Sequence, residues 1–271
     1  MMELMLAPAV AALLILFIHA YLGIHIIARG VIFVDLALAQ VAALGFTVAT
    51  LVGFAPDSIA AYLLSVGATL FGALLLSFSR LEHERVPQEA LIGVVYVAAS
   101  AATILLAAQS PAGSEHVEDL LTGTLLWVSW SQIGRMALIY ALAGAAHWAL
   151  RKRFFTISLD PKRAADEGWR LRWWDFVFYG LFGIIVTTAV GIAGVLVVFS
   201  FLVIPAVIAF MFVTRTSRLL AVSWGVGTLA ALGGIGLSFR YDLPTGPLIV
   251  CVFAVVLAVA LTIRAARRAS T

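Results

Sequence analysis

His19 and His25 in the first apolar run of the chain, with Asp35 and Gln40 in the second, are the side chains whose type and spacing can do chemistry. Imidazole and carboxylate are ligands for divalent first-row metals, so the group reads as a place where a cation is held or relayed. If the first run crosses a membrane inward and the second returns, a rise of ~1.5 Å per residue matches His19 with Gln40 near mid-depth. The same arithmetic matches His25 with Asp35 nearer the inner end. Structural hydrogen bonds between adjacent helices would use the same pairs, because a polar side chain in hydrocarbon faces a bundle interior or an aqueous path in either case. As haem ligands, His19 and His25 are poorly placed, since their spacing turns them ~600° apart around a helix.

Holding such groups requires membrane-crossing helices, and the composition supplies them. Of 271 residues, 63% are hydrophobic and 11% charged, against roughly 25% charged in soluble domains. A mean hydropathy of +1.09 leaves no stretch polar enough for a separate aqueous domain. Apolar runs of the ~20 residues that cross a bilayer lie near 6–27, 31–54, 58–79, 89–109, 132–150, 173–190, 194–212, 219–238 and 246–263. The expected fold is therefore an all-α integral membrane protein, a polytopic bundle of eight or nine transmembrane helices in one domain over 1–271. The first run lacks a basic n-region and a small-residue cleavage site, so it reads as a retained span and not a signal peptide. Leu120 to Trp130 is apolar but short, and fits an interfacial or re-entrant helix.

Orientation follows from the basic residues. With 28–30, 80–88, 151–172, 213–218 and 264–271 on the cytoplasmic side, 15 of the 17 Lys and Arg fall there, all but Arg135 and Arg240. The positive-inside bias then places the N-terminus outside and the C-terminus in the cytoplasm. The net charge of +3 is thus a topology signal, and no nucleic-acid partner is expected.

The long polar loop at 151–172 carries Asp160-Pro161 and ends its polar run at Gly168. Asp as N-cap, Pro at the first helical position and Gly as terminator describe a short amphipathic helix, either a solvated connector or a docking element for a cytoplasmic partner.

Several reaction classes are excluded. The only lysines, Lys152 and Lys162, do not follow a Gly-rich phosphate cradle, and G-x-S-x-G, H-E-x-x-H and C-x-x-C are absent,. Cys251, the single cysteine, allows no disulfide and no cysteine-built metal cluster,. No enzymatic activity is expected of the chain itself. Of the remaining polar groups, His147 beside Arg151 is expected to snorkel, and His83 among Glu82, Glu84 and Arg85 to sit in a cytoplasmic turn. Glu115, His116, Glu118 and Asp119 make an external acidic cluster. Glu89 is expected to serve the positive end of its helix. Gly180, Gly183, Gly191, Gly194, Gly225, Gly227, Gly233, Gly234 and Gly236 are expected to allow close helix approach, and Pro205 to kink its helix.

Taken in order, Leu22-Gly23, Arg29-Gly30, Gly45, Glu89-Ala90-Leu91-Ile92-Gly93, Leu121-Thr122-Gly123-Thr124, Leu159-Asp160-Pro161, Leu202-Val203-Ile204-Pro205-Ala206 and Asp242-Leu243-Pro244-Thr245-Gly246-Pro247 form a pattern. With it, the chain resembles, over nearly its whole length, the ABC-3 type membrane permease subunit of bacterial ABC importers for zinc, manganese and iron. The resemblance implies a homodimer surrounded by membrane lipid in the bacterial cytoplasmic (inner) membrane. It implies a divalent metal ion as transported substrate, delivered by a periplasmic or surface metal-binding protein. It also implies alternating access driven by separate cytoplasmic ATP-binding subunits that use the ATP, with no permanently bound cofactor. The loop at 151–172, with Asp160, Pro161, Ala164 and Gly168, would be the coupling element.

The sequence departs from the family where specificity is expected. The family's second span resembles a transient metal site built from an Asp and a His four residues apart, and those positions here are Leu36 and Gln40, with Asp35 shifted by one. Leu cannot ligate a metal and Gln offers a neutral carbonyl. Either His19, His25 or Asp35 compensates, or the cargo is a chelate or another small solute. A self-sufficient secondary transporter is the alternative from outside the family.

Overall fold

The computed structural model describes residues 2–79, 87–109 and 120–269, with the side chains of residues 2–4 set aside. The expected turn with His83 and the acidic cluster at Glu115 to Asp119 lie outside the described residues. Helices dominate: α1 (Met2–Arg29), α2 (Val34–Leu51), α3 (Ile59–Phe78), α4 (Gln88–Ala107), α5 (Trp130–Leu159), α6 (Pro161–Asp166), α7 (Leu171–Phe212), α8 (Thr216–Tyr241) and α9 (Thr245–Ala269). Among the described residues there is no strand.

The helix ends are set by local chemistry. Ser58 caps α3 by accepting from the Ala61 N–H, and Ser129 with Gln132 forms a reciprocal capping box at the start of α5,. α8 stops where Asp242 takes a left-handed conformation at φ 52. The α5 helix runs to Leu159, well past the apolar stretch expected to end near 150, so much of the polar loop at 151–172 is helix.

Eight helices are long and apolar enough to cross a membrane, and one of them, α7, spans 42 residues. Its dihedrals leave the helical region at Gly194, with φ 76 and ψ 159. A straight helix would hold Phe178 and Ala206 ~42 Å apart. Both instead lie against one turn of α1. The His25 ring is 5.6 Å from Phe178, while Ile24 clusters with Ala206 and Ala209. The α7 helix therefore doubles back at Gly194 into two limbs, 171–193 and 195–212. Glycine permits a reversal there because no Cβ opposes the positive φ. Nine crossing segments result among the described residues, in agreement with the runs read from sequence, and the two ends of the described chain lie on opposite faces.

Pro205 lies inside its limb, and the non-helical residue inside α7 is Gly194. The Pro205 carbonyl accepts from Ser223 Oγ of α8 at 3.3 Å.

Residues 120–129 do not cross. The chain leaves helical geometry at Gly123, φ 74, makes one 3-10 turn at Leu125–Trp127 and enters α5. The Thr124 N–H donates to Ile192 O at 3.0 Å, which seats this segment on the apex of the α7 hairpin.

Helix association in lipid gains little from hydrophobic burial and depends on close packing of small residues. At Gly23 the α1 backbone lies so near the Leu202 carbonyl of the second α7 limb that a Cβ would overlap it. Gly234 likewise meets the Ile249 backbone, while Gly183 and Gly227 lie close against the side chains of Thr69 and Leu16. By contrast Gly191, Gly225, Gly233 and Gly236 have open space beside them, so the expectation of close approach fails at those four.

Arg29, the end of α5, α6, the start of the first α7 limb, the end of the second and the end of α9 gather on one face. Arg29 binds Ser158 and Asp175, and Arg267 stacks over Phe212. This is the basic face of the charge count, the cytoplasmic one by the positive-inside rule.

Candidate functional site: the buried polar groups of the first two spans and the basic face

Asp35 enters the first turn of α2 with 1% of its surface exposed, and neither carboxyl oxygen has a hydrogen-bond partner. A carboxyl group held this way in a membrane span is costly. Tyr140 of α5 lies within electrostatic range. Leu36, the next residue, points elsewhere: with Phe33, Gly93, Val94 and Val97 it lines an apolar groove of about 620 Å³ between α2 and α4. Gln40 stands one turn further along that face and is buried.

The pairs expected from depth are not brought together. His19 donates from Nδ1 to Ile15 O at 2.8 Å, within its own helix, and turns its ring edge toward Tyr140 at 6.4 Å. His25 places Nδ1 3.0 Å from Ser158 Oγ of α5, not against Asp35. Among the described residues no three of His, Cys, Asp and Glu converge as a metal-binding group, so His19, His25 and Asp35 do not form one coordination site. The rotation of each helix about its axis, which decides the contact, was not legible from the sequence.

His147 does not snorkel. It is 2% exposed, edge-on to Tyr21 at 5.7 Å and packed against Phe154 and Phe178, with both ring nitrogens lacking hydrogen bonds. Arg151 turns away onto the Trp148 ring and donates to Trp148 O. Glu89 does more than face its helix dipole: its Oε1 accepts from the Phe33 N–H at 2.9 Å and ties α4 to the turn before α2.

Sequence reasoning missed one group. Arg29 Nη1 donates to Asp175 Oδ1 at 2.8 Å and Nε donates to Ser158 Oγ at 2.8 Å, with the guanidinium carbon 3.9 Å above the Phe178 ring. In the sequence Arg29 counted as a topology charge and as part of the Arg29-Gly30 segment, with no partner assigned. The signal that could have found the pair was Asp175, an acid inside the apolar run near 173–190, which needs a partner there.

On the basic face, α6 has the form read from the sequence. The Asp160 side chain accepts from the Arg163 N–H at 3.1 Å, Pro161 opens the helix, and Gly168 at φ 76 follows it. Arg163 and Glu167 pair across one turn at 2.9 Å, which raises the Arg163 pKa further. Only Ala164 is buried; the rest of the helix stands in solvent. Beside it, Leu74, Phe78, Ala165, Trp169, Leu171 and Phe176 help to line a groove of about 700 Å³.

The fold is that of a multi-pass, all-α membrane protein, and the comparisons name its family. Residues 1–264 match the family described as the ABC 3 transport family, and the chain belongs to that family. It is similar to a "Probable metal transport system membrane protein" of Chlamydia muridarum, 24% identical over 208 residues, 76% of this chain and 70% of that one. It is also similar to the "Chelated iron transport system membrane protein YfeD" of Yersinia pestis, 28% identical over 183 residues, 66% of this chain and 60% of that one. Among solved structures, a chain of "PsaBC from Streptococcus pneumoniae in complex with Fab" shares the fold with a TM-score of 0.78 at 17% identity, over 94% of this chain and 89% of that one.

Proposed function

We propose that the chain is the permease subunit of an ATP-driven importer for divalent metal ions, zinc or manganese, in a bacterial inner membrane. The observation that carries the reading is the family match over 1–264, joined to a capped, solvent-exposed helix α6 on the basic face. In this reading two copies of the chain form the pathway and a periplasmic or surface binding protein delivers the metal. ATP-binding subunits dock at α6 and the groove beside it, with Asp160, Pro161, Ala164 and Gly168 shaping the docking element. ATP is used by those subunits, and the chain alternates access as they close.

Asp35, with Gln40 and the imidazoles of His19 and His25, is the source of polar contacts for the cargo along the first two spans. A second reading, permeation of a metal chelate, is favoured by Leu36 and Gln40, which offer no charged ligand. A cargo that brings its own ligands needs fewer from the protein.

The test is elemental analysis of cells lacking the chain, with and without its restoration alongside ATP-binding and binding-protein partners, in zinc- and manganese-depleted medium. A restored rise in zinc or manganese supports the first reading, and a rise only when a chelator accompanies the metal supports the second. Transport by the chain alone in liposomes, without any ATP-binding subunit, would overturn both in favour of a secondary transporter.

A further inference from the structure

The α6 helix hangs from two stems, the end of α5 and the start of the first α7 limb, and a single side chain from α1 holds both. Arg29 Nε donates to Ser158 Oγ on one stem at 2.8 Å, and Nη1 donates to Asp175 Oδ1 on the other at 2.8 Å. The Arg29 and Asp175 side chains are 1% and 0% exposed. His25, one turn back on the same face of α1, adds a second contact to Ser158 at 3.0 Å. The α6 helix itself buries only Ala164, so a force applied to it reaches the bundle chiefly along the stems.

We propose that Arg29 is the positioning residue that transmits movement of α6 to the first two spans. Apolar contacts resist compression but slide; a rigid guanidinium fork bonded to both stems also resists separation, and so carries a pull as well as a push. The far side of the link is equally firm. The α1 helix closes at Gly30, φ 69, the Val31 N–H donates to Ile26 O, and the Val34 N–H donates to Val31 O as α2 begins. Displacement of the stems thus moves the end of α1 and the start of α2 together, the turn of the chain that carries Asp35. The inference rests on the reading of α6 as the element that meets the ATP-binding subunit.

The test uses the complete complex in proteoliposomes, with manganese and zinc as the transported ions, and reads metal taken up per ATP hydrolysed. Arg29→Lys keeps the charge but loses the fork, and Ser158→Ala frees one stem while leaving the ion pair in place. Both variants are expected to assemble with the ATP-binding subunit and to melt within a few degrees of the unaltered complex. Their metal-to-ATP ratio is expected to fall roughly 3- to 30-fold, the range over which a coupling residue acts. An unchanged ratio in both assembled variants overturns the proposal, and so does loss of assembly in both, which would show a purely structural clasp. Failure of the underlying reading is seen separately: an Ala165→Arg change on α6 that leaves subunit association intact would refute α6 as the docking element, whatever Arg29 does.

Discussion

Gly123 and Gly194 press backbone to backbone, the one where residues 120–129 turn toward α5 and the other at the apex of the α7 hairpin. A Cβ on either would overlap main-chain atoms of the other segment, and both have positive φ, 74 and 76. Gly194→Ala therefore combines strain with a clash that no side chain can relieve. The expected cost exceeds the ~1 kcal/mol of an ordinary unfavourable Gly→Ala change, read as a lowered melting temperature in detergent. Gly93→Ala, which adds a methyl to open space, serves as the tolerated control.

The buried pair on the basic face makes a thermodynamic prediction separate from coupling. Asp175→Ala leaves the Arg29 guanidinium without its carboxylate at a site closed to solvent, and is expected to cost about 3–5 kcal/mol. Replacing both partners with apolar residues, Arg29→Met with Asp175→Leu, is expected to recover most of the melting temperature while leaving transport impaired. A double variant as unstable as Asp175→Ala would show that the ion pair itself is needed to hold the stems.

Asp35 offers the opposite case. Its carboxyl oxygens make no hydrogen bond, so Asp35→Asn removes no partner and is expected to melt within a few degrees of the unaltered protein,. Uptake is expected to fall about tenfold or more if this carboxyl group contacts the cargo, as groups kept in a span usually do. Alanine at His19, His25 and Asp35, singly and together, extends the test; full uptake in the triple variant at normal protein level would remove these residues from the pathway.

Topology can be read by labelling single cysteines in a Cys251-free background. Cysteine at Trp127, which is 76% exposed, is expected to react with an impermeant reagent from outside, and cysteine at Lys162 only after the membrane is opened. Reaction of the Lys162 position from outside would invert the orientation derived from the basic residues.

The spans were legible because each is a long apolar run, and their expected sense rests on the Lys and Arg that collect between alternate runs. The α6 helix was legible because capping is local: Asp160 and Pro161 set its start, and Gly168 follows its end about two turns on,. The contacts of His19 and His25 were not, since helix rotation is fixed by packing at Gly23, Gly183 and Gly227 against residues far away in sequence. The reversal at Gly194 was visible as a boundary between two runs, though hydropathy carries no trace of how abrupt it is. Arg29 and Asp175 stayed hidden because 146 positions separate them and each has an ordinary explanation alone.

The hairpin at Gly194 also governs what the outer surface can present. With a single residue joining its two limbs, this pair of spans contributes no protruding loop, and the segment bearing Gly123 is laid over its tip. An antibody, a protease or a delivering protein approaching from that side meets, among the described residues, the connections at 52–58, 120–129 and 242–244 beside the tip of this hairpin.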